Sequence, residues 1–240
     1  MAGLKDEVVT YYRSHDSASR YTAGAADRHE HFEAFHRRYK RYIGRTVVDL
    51  ACGGGVLGFV LERHGRRYTG VDINPDMIRE ARAHARKTGS RATFVRGDLA
   101  TVKLQGRFAT ATLVGNSLCH IDGRRLLAIL EHLRPKMRAG SHFIVDYRDV
   151  VGLLYAGQWL MHSEQRYDDR IVDVRTDGCD TVRGRLEQAY NIVGEPQAHR
   201  WGHAIWSPFI IEPLFAASGW KLRKRREEPW SGYTDVYQKV

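Results

Sequence analysis

A chain of 240 residues, 42% hydrophobic and 28% charged, is long enough to bury the core of one domain and too apolar for a disordered segment. It contains no run of 18 apolar residues, and its start, "MAGLKDEVV", lacks the regions of a signal peptide, so a cytoplasmic protein with no membrane partner is expected. The net charge of +10 favours anionic partners, but the basic residues are scattered among acids, and solvated faces are preferred over a nucleic-acid surface.

Residues 28–43, "RHEHFEAFHRRYKRYI", space Phe32, Phe35, Tyr39 and Tyr42 three to four apart, an amphipathic helix. Its histidines His29, His31 and His36 do not share the i, i+4 spacing of a helical metal pair, so a wet face and no metal are expected. "RTVVDL" (45–50) predicts a strand, "VLGFVLERHG" (56–65) a helix closed by Gly65, and "RYTGVDI" a second strand. Asn74 then caps a helix with Pro75 at its first position and Met77, Ile78, Ala81 and Ala85 inward. Strands follow at "ATFVRGDL" and "FATATLVGN", then a helix from Asp122 carrying Leu126, Leu130 and Leu133, then a strand at "SHFIVDY". Alternation of this kind implies an α/β fold, a parallel sheet covered on both faces.

Beyond residue 150 the rhythm breaks. "RIVDVRTDG" and "GRLEQAYNIV" read as antiparallel strands around a turn. A last helix, "SPFIIEPLFAASGW", precedes the pair "WKLRKRREEPW" and "YTDVYQKV", where "RKRR" (223–226) alternates faces if it lies on a strand. The expected divisions are residues 1–44, a helical segment and lid; 45–150, the nucleotide-binding core; 151–206, an insertion over the carboxyl edge of the sheet; and 207–240, a helix and strand pair completing it. Cys52, Cys119 and Cys179 stand far apart with no CxxC pair, which argues for reduced thiols and against a zinc site.

"VVDLACGGGVLG" contains Gly53-x-Gly55-x-x-Gly58, formally the dinucleotide fingerprint. Small residues let backbone approach a ligand, and the following helix offers free N–H groups. Nicotinamide and S-adenosylmethionine readings compete. Asp49, four residues before Gly53, is awkward beside a pyrophosphate but suits an ammonium group or its ordered water. Asp72 ends the second strand, placed for both ribose hydroxyls. Asp98 follows the third strand, placed for an adenine amino group, with Leu99 beside the ring. Ala51, Ile73 and Met77 complete the expected cofactor contacts. Three acids ending consecutive strands favour S-adenosylmethionine, and residues 45–147 resemble a class I S-adenosylmethionine-dependent methyltransferase.

The octet "VGNSLCHI" (114–121) departs from the G-x-S-x-G of a nucleophile elbow. It also lacks the Asp/Asn-Pro-Pro-aromatic stretch common in enzymes that methylate exocyclic base nitrogens. It resembles the Gly-Asn-Ser-x-x-His stretch of glycine N-methyltransferases and their glycine/sarcosine relatives, as "IVDYRDV" resembles their Asp-His-Arg-Asn-Tyr segment. Tyr21 and Arg28 keep that family's seven-residue spacing, and Tyr167 and Tyr190 fall near two of its pocket tyrosines. The resemblance implies that Arg28 grips the cofactor carboxylate and Arg148 the substrate carboxylate. It implies that Asn116, Tyr21, Tyr167 and Tyr190 serve the substrate, and that Val114 and His120 lie against the cofactor. The expected fold is thus a Rossmann-like methyltransferase sheet with an antiparallel insertion over the active site. The expected reaction is N-methylation of a small amine or amino acid, glycine-like in first preference, with S-adenosylhomocysteine as product and no metal. Methylation of another small metabolite or of RNA, and nicotinamide-dependent oxidoreduction, are the alternatives.

Overall fold

The hydrophobic spacing of residues 28–43 becomes helix α1 (Ala26–Tyr39), with Phe32, Phe35 and Tyr39 buried. The structure, a computed structural model, describes Val9 and residues 25–240 apart from 168–169 and 197–198. Strand β1 (Thr46–Leu50) leads into α2 (Val56–Arg63), β2 (Arg67–Asp72), α3 (Pro75–Thr88) and β3 (Thr93–Arg96). Asn74 caps α3 as expected: its side-chain oxygen accepts from the Asp76 N–H at 2.9 Å, with Pro75 where a missing N–H costs nothing. Met77, Ile78, Ala81 and Ala85 are the buried residues of α3. Next come β4 (Phe108–Leu113), a 3₁₀ turn (Ser117–His120), α4 (Gly123–Leu133) and β5 (Met137–Arg148).

Seven strands form one sheet in the order β3-β2-β1-β4-β5-β11-β10. The five from β3 to β5 are parallel, while β11 (Gly232–Lys239) is antiparallel to both β5 and β10 (Trp220–Glu228). Strand order reverses between β1 and β4, the position at which open α/β sheets bind ligands beyond their carboxyl ends. One face of the sheet packs on α1, α2 and α3 through a cluster that includes Phe35, Tyr39, Val60, Leu61, Ile78 and Phe94. The other packs on α4 and α6 (Pro208–Ala217) through Leu126, Leu130, Phe143, Phe215 and Trp220. Full burial of each such side chain contributes about 1.5–3 kcal/mol.

A separate antiparallel sheet, β6 (His162–Tyr167), β7 (Arg170–Asp180), β8 (Arg185–Ile192) and β9 (His199–Ala204), follows a short helix α5 (Val150–Tyr155). Sequence reading anticipates β7 and β8 but not their partners. Both partner strands are polar, "HSEQRY" and "HRWGHA", and one contains a glycine, so neither shows the β-branched run that marks a strand. No helix among the described residues is long and apolar enough to cross a membrane.

Candidate functional site

An open cleft lies over the carboxyl ends of β1, β2 and β4, with Arg28 and Phe32 of α1 along one side. Its lining includes Asp49, Ala51, Gly53, Asp72, Ile73, Met77, Leu99, Val114 and His120, so nine cofactor contacts expected besides Arg28 are brought together. After β1 the backbone turns sharply through left-handed conformations at Ala51 (φ 59°) and Gly53 (φ 52°). Gly58, last of the glycine pattern, fixes the approach of α2 to the sheet. A Cβ there would stand 2.4 Å from the Tyr68 ring.

Tyr68 in turn donates its hydroxyl to Asp49 Oδ2 at 2.5 Å, while Thr112 donates to Oδ1 at 2.6 Å. These hydroxyls favour the carboxylate, but burial dominates and pushes the Asp49 carboxyl up to about 7. Asp72 is held differently. Its Oδ2 accepts the Gly53 N–H and its Oδ1 the Asn74 N–H, both at 2.8 Å. Burial raises its pKa against those backbone hydrogen bonds. A carboxylate clamped by two N–H groups presents its remaining lone pairs to the cleft in a fixed direction, the arrangement a vicinal diol requires.

Asp98 is not among the residues that line the cleft, although its neighbour Leu99 and its partner Arg125 are. Arg125 of α4 pairs with its Oδ1 at 2.5 Å, and the Ala100 N–H donates to the same oxygen at 3.0 Å. Leu99 and Arg125 take the places along the wall, so the adenine contact expected of Asp98 is not supported by its position. Gly55 is likewise absent from the lining. A Cβ there would lie 2.3 Å from the Phe94 ring, so this glycine serves the packing of the loop on the sheet.

The octet turns at the floor of the cleft. Gly115 (φ 85°) and Asn116 (φ 60°) are left-handed, and their N–H groups donate to Asp146 of β5 at 2.8 and 2.7 Å. The Trp206 indole N–H is shared between the Leu118 and Ile121 carbonyls at 2.9 and 3.1 Å. Gly115, Ser117, His120 and Ile121 face the cleft, whereas Asn116 is not among its lining residues. Cys119 is buried with Val172, Val174, Tyr190, Ile192 and Trp201, and burial pushes its thiol up to about 12. A thiol so placed is no nucleophile at neutral pH.

On the acceptor side the antiparallel sheet brings an aromatic wall. The Trp201 ring lies 4.7 Å from His120, 5.8 Å from Tyr190 and 5.3 Å from His203. Tyr190 is buried and donates its hydroxyl to Gln188 Oε1 at 3.1 Å. Burial lowers His203 to about 4, leaving it a neutral and weakly basic imidazole. Arg148, at the end of β5, is exposed. It is close enough to Cys119 and His203 that its charge acts on both. Among the described residues no carboxylate pairs with it. Tyr167 ends β6, only its backbone being described, and Tyr21 lies outside the described residues. Sequence reading did not single out Arg125, Asp146 or Trp201. Their partners are 27 to 81 residues away in the chain, whereas Asn74 was found as a cap because that role carries a local signal.

Residues 47–140 match the family described as a methyltransferase domain. A ubiquinone biosynthesis O-methyltransferase of Vibrio cholerae is 38% identical over 52 residues, covering 22% of this chain and 21% of that one. The chain thus matches about a fifth of the length of such curated relatives. The crystal structure of the PH0226 protein from Pyrococcus horikoshii OT3 superposes with a TM-score of 0.73 at 24% identity, over 96% of this chain and 99% of that one. The glycopeptide N-methyltransferase MtfA, solved with S-adenosylmethionine, superposes with a TM-score of 0.63 at 16% identity, over 88% and 93%. Residues 47–140 thus match a methyltransferase domain, on a fold shared with structures of S-adenosylmethionine-dependent methyltransferases. The cleft fits that cofactor, with a clamped carboxylate for a diol, a buried acid for a cation, and apolar walls at Leu99, Ile73 and Met77.

Proposed function

We propose that the protein methylates the nitrogen of a small amine that carries a carboxylate, a glycine-like amino acid in first preference. The observation that carries this reading is Arg148, an exposed guanidinium whose charge reaches Cys119 and His203, with no carboxylate partner among the described residues. Its planar fork binds a carboxylate bidentately and thereby sets the distance of the attached amine from the cleft.

When bound, the cofactor supplies an electrophilic methyl group on a sulfonium centre. Asp72 holds the ribose hydroxyls, Asp49 faces the cationic portion, and Arg28 receives the cofactor carboxylate. The Trp201, His120 and Tyr190 rings exclude water, and their faces favour positive charge. In-line displacement then asks little more of the chain than a neutral amine in a near-attack position. A phenolic acceptor, by contrast, must lose a proton to a base, and His203, lowered to about 4, is a poor one.

Release of S-adenosylhomocysteine against a panel of amino acids, simple amines, phenols and tRNA tests the reading. Arg148→Ala is expected to abolish turnover of the best acceptor. Arg148→Lys keeps the charge without the fork and is expected to raise KM, with cofactor affinity little changed in both. Rate is expected to climb from pH 7 to 9 as the α-amino group of the acceptor loses its proton near pH 8 or above. Full activity of Arg148→Ala would remove the carboxylate from the acceptor, and turnover of a phenol alone would replace the amine.

A further inference from the structure

Helix α1 carries a second group of polar side chains, set against the end of α2. Glu33 and His36 stand three apart on α1, and His64 follows the last turn of α2. One donor atom from each lies within 4.8 Å of the others. Glu33 Oε2 is 2.7 Å from His64 Nε2, and the His36 and His64 rings stack at 3.8 Å with 17° between their planes. His36 is only 7% exposed, yet neither of its ring nitrogens has a hydrogen-bond partner. A buried imidazole with both nitrogens unsatisfied is costly, and such a group calls for a ligand.

We propose that Glu33, His36 and His64 form a transition-metal site, suited to Zn²⁺, that ties α1 to α2. Two imidazoles and one carboxylate are a zinc donor set that leaves a fourth position for water. Zn–N and Zn–O bonds of about 2.0–2.2 Å set ligand atoms roughly 3.3 Å apart, so the present spread of up to 4.8 Å closes by as much as about 1.5 Å. The more exposed Glu33 and His64 supply that movement by side-chain rotation, and the His64 ring must turn out of its stack on His36 so that both imidazole nitrogens aim at one ion. Burial also lowers the pKa of His36, keeping it in the neutral form that binds metal.

Cations surround the group. Arg63 pairs with Glu33 Oε1 at 2.8 Å, and the charges of Arg66 and Lys40 reach His36. Metal binding therefore displaces Arg63 from Glu33, and the positive surroundings disfavour hard cations that depend on carboxylates alone. Spacing along one helix could not reveal the site, because its third ligand comes from a different helix. Since α1 also brings Arg28 and Phe32 to the cofactor cleft, the ion would brace the helix that forms one wall of that cleft.

The test is titration of tag-free, full-length protein, first stripped with a chelator, with Zn²⁺ by calorimetry and by competition with a chromogenic zinc indicator. One saturable equivalent is expected, with a Tm that rises with Zn²⁺ concentration. Glu33→Gln and His64→Ala, both at partly or fully exposed positions, are each expected to weaken binding at least tenfold and to remove the Tm response. Co²⁺ in place of Zn²⁺ is expected to give visible absorption in the wild type that both variants lose. Absence of a saturable equivalent, or binding that survives both substitutions undiminished, overturns the proposal. Neither result bears on methyl transfer, which is read separately.

Discussion

Burial pushes Asp49 up to about 7 despite hydroxyl donors from Tyr68 and Thr112, so folding alone favours its protonated form. A carboxyl whose folded pKa lies above its unfolded value near 3.9 stabilises the fold fully below that value. The contribution is lost as pH rises through about 7. A cationic ligand reverses the preference, since the ionised carboxylate attracts it. Asp49→Asn is accordingly expected to match the wild-type Tm near pH 4 and to exceed it by a margin that grows up to pH 8, while S-adenosylmethionine affinity falls. Thermal unfolding and calorimetry across that range check both halves. A variant that loses stability at pH 8 would show that the ionised acid is a structural requirement. Stability given up at a binding residue is a common pattern in functional sites.

At the scale of elements, the contact of α2 with the sheet depends on one absent side chain. Gly58→Ala would place a methyl group 2.4 Å from the Tyr68 ring, which is itself anchored to Asp49. The expected cost is about 1–3 kcal/mol, read from the denaturation midpoint, with a loss of cofactor affinity as Tyr68 shifts. An unchanged midpoint would mean that α2 moves freely. The glycine pattern and the strand-end acids Asp49 and Asp72 were legible in the sequence because their signals are local: a turn, a strand end, a helix start. The pairing of Asp98 with Arg125 was not legible, because Arg125 lies 27 positions onward on α4. The octet was legible as a pocket floor, but not the Asp146 and Trp206 groups that hold it, 30 and more residues away.

For the whole molecule, the net charge of +10 is not gathered in one free basic surface, because arginines of the most basic run are held in internal ion pairs. Within the "RKRR" run, Arg225 makes two 2.8 Å hydrogen bonds to Asp235 and reaches Glu212 at 3.1 Å. Arg226 and Arg38 both approach Glu228. The expected alternation of the run is also broken, since the register of β10 on β11 shifts between Leu222 and Lys224. RNA affinity is therefore expected to be weak, insensitive to sequence and steeply reduced by salt, as filter binding at two ionic strengths would show. Methyl incorporation at a defined RNA position would overturn the small-molecule reading. Parallel strands and an extra antiparallel element were foreseeable in outline from hydrophobic rhythm, but the order of the strands was not. The aromatic wall was not, because Trp201 meets His120 only when β9 folds back over the octet.

The most direct measurement is transfer of a labelled methyl group from S-adenosylmethionine to a carboxylate-bearing amine, with the label located in the product by NMR. The expected result is label on nitrogen in the wild type and little or none in Asp72→Ala, whose cofactor affinity should fall at least tenfold on loss of charged hydrogen bonds of about 1.5–3 kcal/mol each. Label on an oxygen or on RNA, or transfer that proceeds equally well without Asp72, would contradict the account.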